Sequence, residues 1–160
     1  MSDAVTLEGL LAWVRGFAAL TEENKEQLTR LDAAIGDADH GTNMDRGMTA
    51  VLAALGDIDP PASAAALFKQ VGMTLVSTVG GASGPLYGTF FLRFATAAGE
   101  VTELEPKGFA NALRAGLDGI VARGKAEAGD KTMYDALAPA VDALDAALKG
   151  GEDLETAMRS

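Results

Sequence analysis

The stretch Leu31-Asp-Ala-Ala-Ile-Gly-Asp-Ala-Asp-His-Gly-Thr-Asn-Met44 decides how this chain is read. It interrupts a sequence whose apolar residues otherwise recur at helical spacing, and it places Asp32, Asp37 and Asp39 within eight residues. Gly36 is a natural helix stop, and the residues from about Thr42 begin the next helical pattern. Carboxylates this close repel one another unless a cation sits among them. Oxygen-only ligands suit a hard divalent ion, and Mg²⁺ held this way keeps its remaining positions for water and substrate phosphates. An EF-hand is excluded: counting Asp37 as loop position 1 puts Thr42 where its glycine belongs and Met48 where its glutamate belongs. The bland alternative for the aspartates is a solvated acidic loop, since lone Asp residues commonly cap and turn.

Outward from this segment the periodicity is helical nearly throughout. Leu7, Leu10, Leu11, Val14, Phe17 and Leu20 mark a first helix with Thr6 as candidate N-cap. Thr21 before Glu22-Glu23 reads as a second start, giving a helix to about Ala34. A third runs from about Thr42 to Leu55 and stops at Gly56, followed by the break Asp57-Ile-Asp-Pro-Pro61. Ser63 caps a fourth, with Leu67, Phe68, Val71, Leu75, Val76 and Val79 as its apolar face; a short strand over Val76 to Val79 is the alternative. A fifth helix opens in the loop Gly80-Gly-Ala-Ser-Gly-Pro85 and ends near Gly99. Pro106 fits the first position of the next, which carries Phe109, Leu113, Leu117 and Ile120. Met133, Leu137, Val141, Leu144 and Leu148 mark another, stopped by Gly150-Gly151, and the pattern from Glu152 is again helical. The expectation is a single all-α domain over residues 1–160, a bundle or barrel of amphipathic antiparallel helices with short connections.

Composition narrows the function. A net charge of −10 with singly scattered Lys and Arg argues against a nucleic-acid partner, which needs a basic surface. With no cysteine, thiolate metal sites and thiol nucleophiles are excluded. The start lacks the pattern of a secretory signal, and no run of about 18 apolar residues suggests a membrane span, so a soluble cytoplasmic protein is expected. An acidic chain that takes an anionic phosphate must find positive charge in metal ions and helix N-termini.

Two segments offer such termini. His40-Gly41-Thr42-Asn43 opens a helix beside the aspartates, where backbone N–H groups are free to receive phosphate oxygens. His40 is the only histidine, and a lone histidine is commonly structural. The Gly80-Gly81-Ala82-Ser83-Gly84 loop also opens a helix, with Ser83 adding a hydroxyl donor. It is not a P-loop, for no Gly-Lys-Ser/Thr follows, nor a nucleophile elbow, since Pro85 occupies the last glycine position. In the Asp130-Lys131-Thr132-Met133 turn, Asp130 or Thr132 can cap the following helix, and Met133 either joins the core or lines an adenine pocket.

Taken together, Ile35-Gly-Asp-Ala-Asp-His-Gly-Thr-Asn-Met44, Gly80-Gly-Ala-Ser-Gly-Pro-Leu-Tyr-Gly88 and Gly129-Asp-Lys-Thr-Met133 resemble the nucleotide-binding L subunits of bacterial dihydroxyacetone kinases. The resemblance implies a barrel of antiparallel helices with ADP or ATP at one end. It implies that Asp32, Asp37 and Asp39 hold two Mg²⁺ ions, and that His40, Gly41, Thr42, Asn43, Ala82 and Ser83 line the phosphates. Gly124 and Met133 match contacts to the nucleotide. Dihydroxyacetone would be held covalently by a histidine of a separate K subunit, which also supplies the base, leaving no catalytic nucleophile here. In one branch of the family ADP stays bound and is rephosphorylated by a phosphoenolpyruvate-dependent phosphotransferase (M) subunit; in another ATP exchanges. The first is the expectation for a chain without a fused K domain. Family members continue beyond this point with an arginine and an Asp-Pro-Gly stretch that close over the nucleotide; without them an apolar seam is expected. Other readings are a kinase subunit for a related sugar such as erythrulose, a metal-dependent phosphohydrolase and a nucleotide-state regulatory module. Homodimer formation is left open.

Overall fold

The computed structural model describes residues 3–56, 61–125, 127–129 and 132–160. The chain is all-α apart from one two-stranded ladder. In order it forms β1 (Val5–Thr6), α1 (Leu7–Ala33), α2 (His40–Gly56), α3 (Ala64–Thr78), α4 (Ser83–Ala98), β2 (Glu103–Leu104), α5 (Pro106–Gly124), α6 (Tyr134–Lys149) and α7 (Leu154–Ala157). Most of the break at Asp57-Pro61, and the Asp130-Lys131 turn, lie outside the described residues.

Local chemistry sets most boundaries. Thr6 Oγ1 accepts from the N–H of Gly9 at 3.1 Å, and Ser63 Oγ accepts from Ala66 N–H at 3.0 Å, each satisfying a free helix-start donor. Pro106 occupies the first turn of α5. Thr132 Oγ1 accepts from Tyr134 N–H at 3.2 Å where α6 begins.

Two expectations need correction. The break at Thr21 does not exist: α1 is one helix, and the Thr21 hydroxyl is satisfied inside it by donating to Phe17 O at 2.8 Å. A threonine whose side chain bonds back one turn continues a helix as readily as it starts one. The second helix begins at His40 rather than Thr42. The expected helix does continue through residues 76–78, which complete α3 in place of the alternative strand, and only Val79 turns extended. The ladder that does form, β1 antiparallel to β2 with Val5 opposite Leu104, was not anticipated.

Successive helices pack side by side, α1 on α2 through to α6 on α7. The core lies between α1, α2, α3, α4 and α5. Phe68 and Phe94 are fully buried with ring centroids 4.5 Å apart, and Trp13 of α1 lies tilted against both at 5.6 and 5.8 Å. Burial of each such ring is worth about 1.5–3 kcal/mol, with about 0.5–1.5 kcal/mol more for a well-placed pair. Not every apolar position on the expected faces is inside: Leu20 and Val76 are exposed. An apolar groove runs along α5, α6 and the end of the chain, lined by Leu113, Leu137, Val141, Leu144 and Met158. The ladder and a bond from Leu154 N–H to Asp3 Oδ2 (2.8 Å) tie the described ends together. No described helix is long and apolar enough to cross a membrane.

Candidate functional site

Asp32 belongs to the last turn of α1, where the negative end of the helix dipole disfavours a carboxylate. Its stabilisation comes from the next helix. Asp32 Oδ2 accepts from the backbone N–H groups of Asp39 (2.9 Å) and His40 (3.3 Å) at the start of α2. The Asp39 N–H, more than any other contact, holds the Asp32 carboxyl below the usual range for aspartate. One side chain thus fixes the connection between α1 and α2.

That connection is backbone-strained at one point. Ala38 adopts φ +59°, a left-handed conformation that costs a non-glycine residue about 1–2 kcal/mol. The twist falls between Asp37 and Asp39. One ligand oxygen each from Asp32, Asp37 and Asp39 lies within 4.8 Å of the others. Such crowding has an electrostatic consequence: the Asp37 carboxyl is pushed above its ordinary range, first by sharing a hydrogen bond with Asp39 and then by the negative charge of Asp39 and Asp32. A hard, oxygen-only donor set this crowded, with the Asp37 carboxyl facing two other acids, fits Mg²⁺.

The N-terminus of α2 adjoins this cluster. The N–H of Asn43 bonds to Asp39 O at 2.9 Å and that of His40 to Asp32, leaving those of Gly41 and Thr42 without an acceptor among the described residues. Gly41 is where the two helices touch. A Cβ there would lie 2.5 Å from Thr29 Oγ1 and 2.7 Å from the carbonyl carbon of Lys25 on α1, so only glycine fits without displacement.

The second loop arrives from the other side. Ser83 Oγ and His40 Nδ1 are 3.0 Å apart, a hydrogen bond whose direction follows the imidazole tautomer. Residues 43 positions apart in sequence therefore meet, joining the N-termini of α2 and α4. Gly81 takes φ +67° in the turn, and no side chain caps α4, whose first amides follow Ala82. Asn43 is buried, with its carboxamide nitrogen 3.5 Å from the point where a Gly80 Cβ would stand.

Of the remaining candidates, Gly124 ends α5 and faces Leu86 in the first turn of α4, its notional Cβ 3.1 Å from Leu86 Cδ2. It is therefore near the glycine-rich loop. Met133 is half-buried at the start of α6 and packs on the core on one side. No described contact joins Met133 to the aspartates. One residue escaped the sequence reading. Arg46 donates to Asn43 Oδ1 at 2.9 Å and to Thr78 O at 3.2 Å, bridging α2 to the end of α3. The signal was its position three residues after Asn43, on the same helix face.

Fold and site define an all-α domain that gathers a carboxylate triad beside two joined helix N-termini. The chain belongs to the DAK2-domain family, whose model matches residues 34–160. It is 48% identical over 134 residues to the ADP-binding subunit DhaL of a PEP-dependent dihydroxyacetone kinase from Listeria innocua, covering 84% of this chain and 67% of that one. It is 45% identical to the ADP-binding subunit DhaL of the PEP-dependent enzyme from Escherichia coli, covering 84% and 64%. It is 43% identical to the ADP-binding subunit DhaL of the PTS-dependent enzyme from Lactococcus lactis, covering 82% and 65%. The chain thus spans about two thirds of the length of these relatives.

Proposed function

We propose that this chain is the ADP-binding subunit of a cytoplasmic dihydroxyacetone kinase, a phosphotransferase in which ADP serves as a coenzyme. The observation that carries the proposal is the convergence of the Asp32–Asp37–Asp39 cluster with the Ser83–His40 hydrogen bond at the start of α2 and α4. The names of its relatives support the nucleotide and the reaction class.

In this reading Asp32, Asp37 and Asp39 hold two Mg²⁺ ions. When bound, these neutralise phosphate charge and so favour transfer of a phosphoryl group to a hydroxyl. The chain's own residues bind and orient. The unpaired amides of Gly41 and Thr42 and the start of α4 at Ala82 and Ser83 present donors to phosphate oxygens. His40, held by Ser83, offers its other ring nitrogen. The Asn43 carboxamide adds a donor from the floor of the site. Gly124 and Met133 line the nucleotide beyond the phosphates. Because phosphoryl transfer needs mainly positioning and electrostatic stabilisation, this subunit requires no nucleophile. The base that takes the hydroxyl proton belongs to a K subunit carrying dihydroxyacetone, and an M subunit of a phosphoenolpyruvate-dependent system restores the donor. Sugar choice, dihydroxyacetone or erythrulose, then lies with the K subunit.

Native mass spectrometry of the purified chain tests this. The expected spectrum shows a complex with ADP and two magnesium ions, either co-purified or formed on addition of Mg²⁺ and ADP. A chain that takes up neither under those conditions refutes the proposal.

A further inference from the structure

We infer that Arg46 is a positioning residue for the nucleotide site: it fixes the Asn43 carboxamide so that its nitrogen is presented across Gly80 toward the phosphates. The inference rests on the nucleotide reading above and adds to it a residue that acts through Asn43.

The argument begins with hydrogen-bond inventory. A guanidinium has five donors and no acceptor, so whichever atom of Asn43 faces Arg46 must be the carbonyl oxygen. The Arg46–Asn43 bond of 2.9 Å therefore fixes the orientation of the amide, and the NH₂ must point the other way. The nitrogen so released borders Gly80: it is the nearest atom to the notional Cβ there, at 3.5 Å, with the Arg46 guanidinium beside it at 3.9 Å. The NH₂ has no acceptor among the described residues, and no buried side-chain nitrogen or oxygen there lacks a partner. Although the Asn43 residue is buried, its nitrogen is thus at the accessible edge of the site, a donor aimed at the glycine-rich loop.

Arg46 is itself held. Its Nε donates to Thr78 O, a carbonyl in the last turn of α3 where a cation is favoured by the helix dipole. Among the described residues no carboxylate pairs with Arg46. The guanidinium therefore spans α2 and the start of the Gly80 loop, and its planar fork serves both acceptors at once. Lysine has a single ammonium on a flexible stem and cannot reproduce that fork.

The test is a double-mutant cycle read by calorimetric titration with Mg·ADP. The variants are Arg46→Met, Arg46→Lys, Asn43→Ala and the two combinations with Asn43→Ala. Arg46→Met is expected to weaken Mg·ADP about tenfold when Asn43 is present and to have no further effect when Asn43 is alanine. Arg46→Lys is expected to restore little of the loss. Equal losses in both backgrounds would show the guanidinium acting on the phosphates directly. No loss with Asn43 present, or full recovery with lysine, would show that orientation of the amide is not its role. Any of these three results overturns the inference. Should circular dichroism show Arg46→Met to be unfolded, Arg46→Lys in the two backgrounds carries the same comparison. A wild-type chain that binds no Mg·ADP removes the parent reading, whereas a binding wild type with an unaffected Arg46→Met removes this inference alone.

Discussion

Gly41→Ala puts the closeness of α1 and α2 to a quantitative test. The added Cβ would stand 2.7 Å from the Lys25 carbonyl carbon, where ordinary contacts begin at 3.4 Å, and nearer still to the Lys25 oxygen. The obstruction includes backbone inside α1, so it cannot rotate away. Clearing the carbonyl carbon alone takes a shift of about 0.7 Å at the start of α2, and clearing the oxygen takes more. Overpacking of this kind costs about 1–3 kcal/mol, and the rigid neighbour argues for the upper end. Alanine returns about 1 kcal/mol of helix propensity, leaving a net loss of about 2 kcal/mol. For a chain of this size that is a fall of about 4–8 °C in Tm. Gly16→Ala is the control: it lies in the interior of α1 with nothing within 4 Å of its notional Cβ, and it should raise Tm by about 2–4 °C. Thermal unfolding followed by circular dichroism reads both. The displaced α2 terminus should also weaken Mg·ADP by about tenfold, since each lost hydrogen bond to charge is worth a kilocalorie or more. If Gly41→Ala stabilises the chain as Gly16→Ala does, the steric reasoning is wrong.

Asp37→Asn should abolish Mg²⁺-dependent ADP binding while leaving helicity intact; unchanged affinity would remove the metal assignment. The same change should raise metal-free stability at neutral pH. A carboxyl whose folded pKa lies above its unfolded value favours folding below that unfolded value, and the benefit is lost as pH rises through the folded pKa. Metal-free Tm of the wild type should therefore decline across that acidic window relative to Asp37→Asn, and parallel pH profiles would contradict the assignment. Ala38→Gly should shift the urea midpoint upward by the equivalent of about 1 kcal/mol, because glycine takes φ +59° without the Cβ clash; an unchanged midpoint would show the turn to be unstrained. Phe68→Ala, at the centre of the aromatic cluster, should cost about 3–5 kcal/mol in urea unfolding, and a loss below 1 kcal/mol would place the core elsewhere.

The helices were legible because their faces repeat: Leu67, Phe68, Val71 and Leu75 are buried as their spacing requires. The caps at Thr6 and Ser63 were legible because a hydroxyl before an apolar run has one economical use. Thr21 shows the limit of that rule, since the same hydroxyl can bond back within the helix and only its surroundings decide. The β1–β2 ladder is two residues long on each side, too short to show a period of two. In the site, spacing brought the aspartates together on paper, and the structure places their oxygens within reach of one ion. The meeting of Ser83 with His40 depends on how α2, α3 and α4 pack, which no local pattern encodes. Arg46 was passed over for a related reason: its partners are an amide on its own helix and a backbone carbonyl on another.

Trp13 is the sole tryptophan of the chain, and its indole rests against Phe68, Phe91, Phe94 and Phe109. It sits on the same unbroken rod as Asp32, about 28 Å away at the rise of an α-helix. The protein therefore carries an intrinsic fluorophore at one end of the lever whose other end belongs to the acidic cluster. Ultraviolet emission, with no label attached, should register any tilt of that rod when cation and nucleotide arrive.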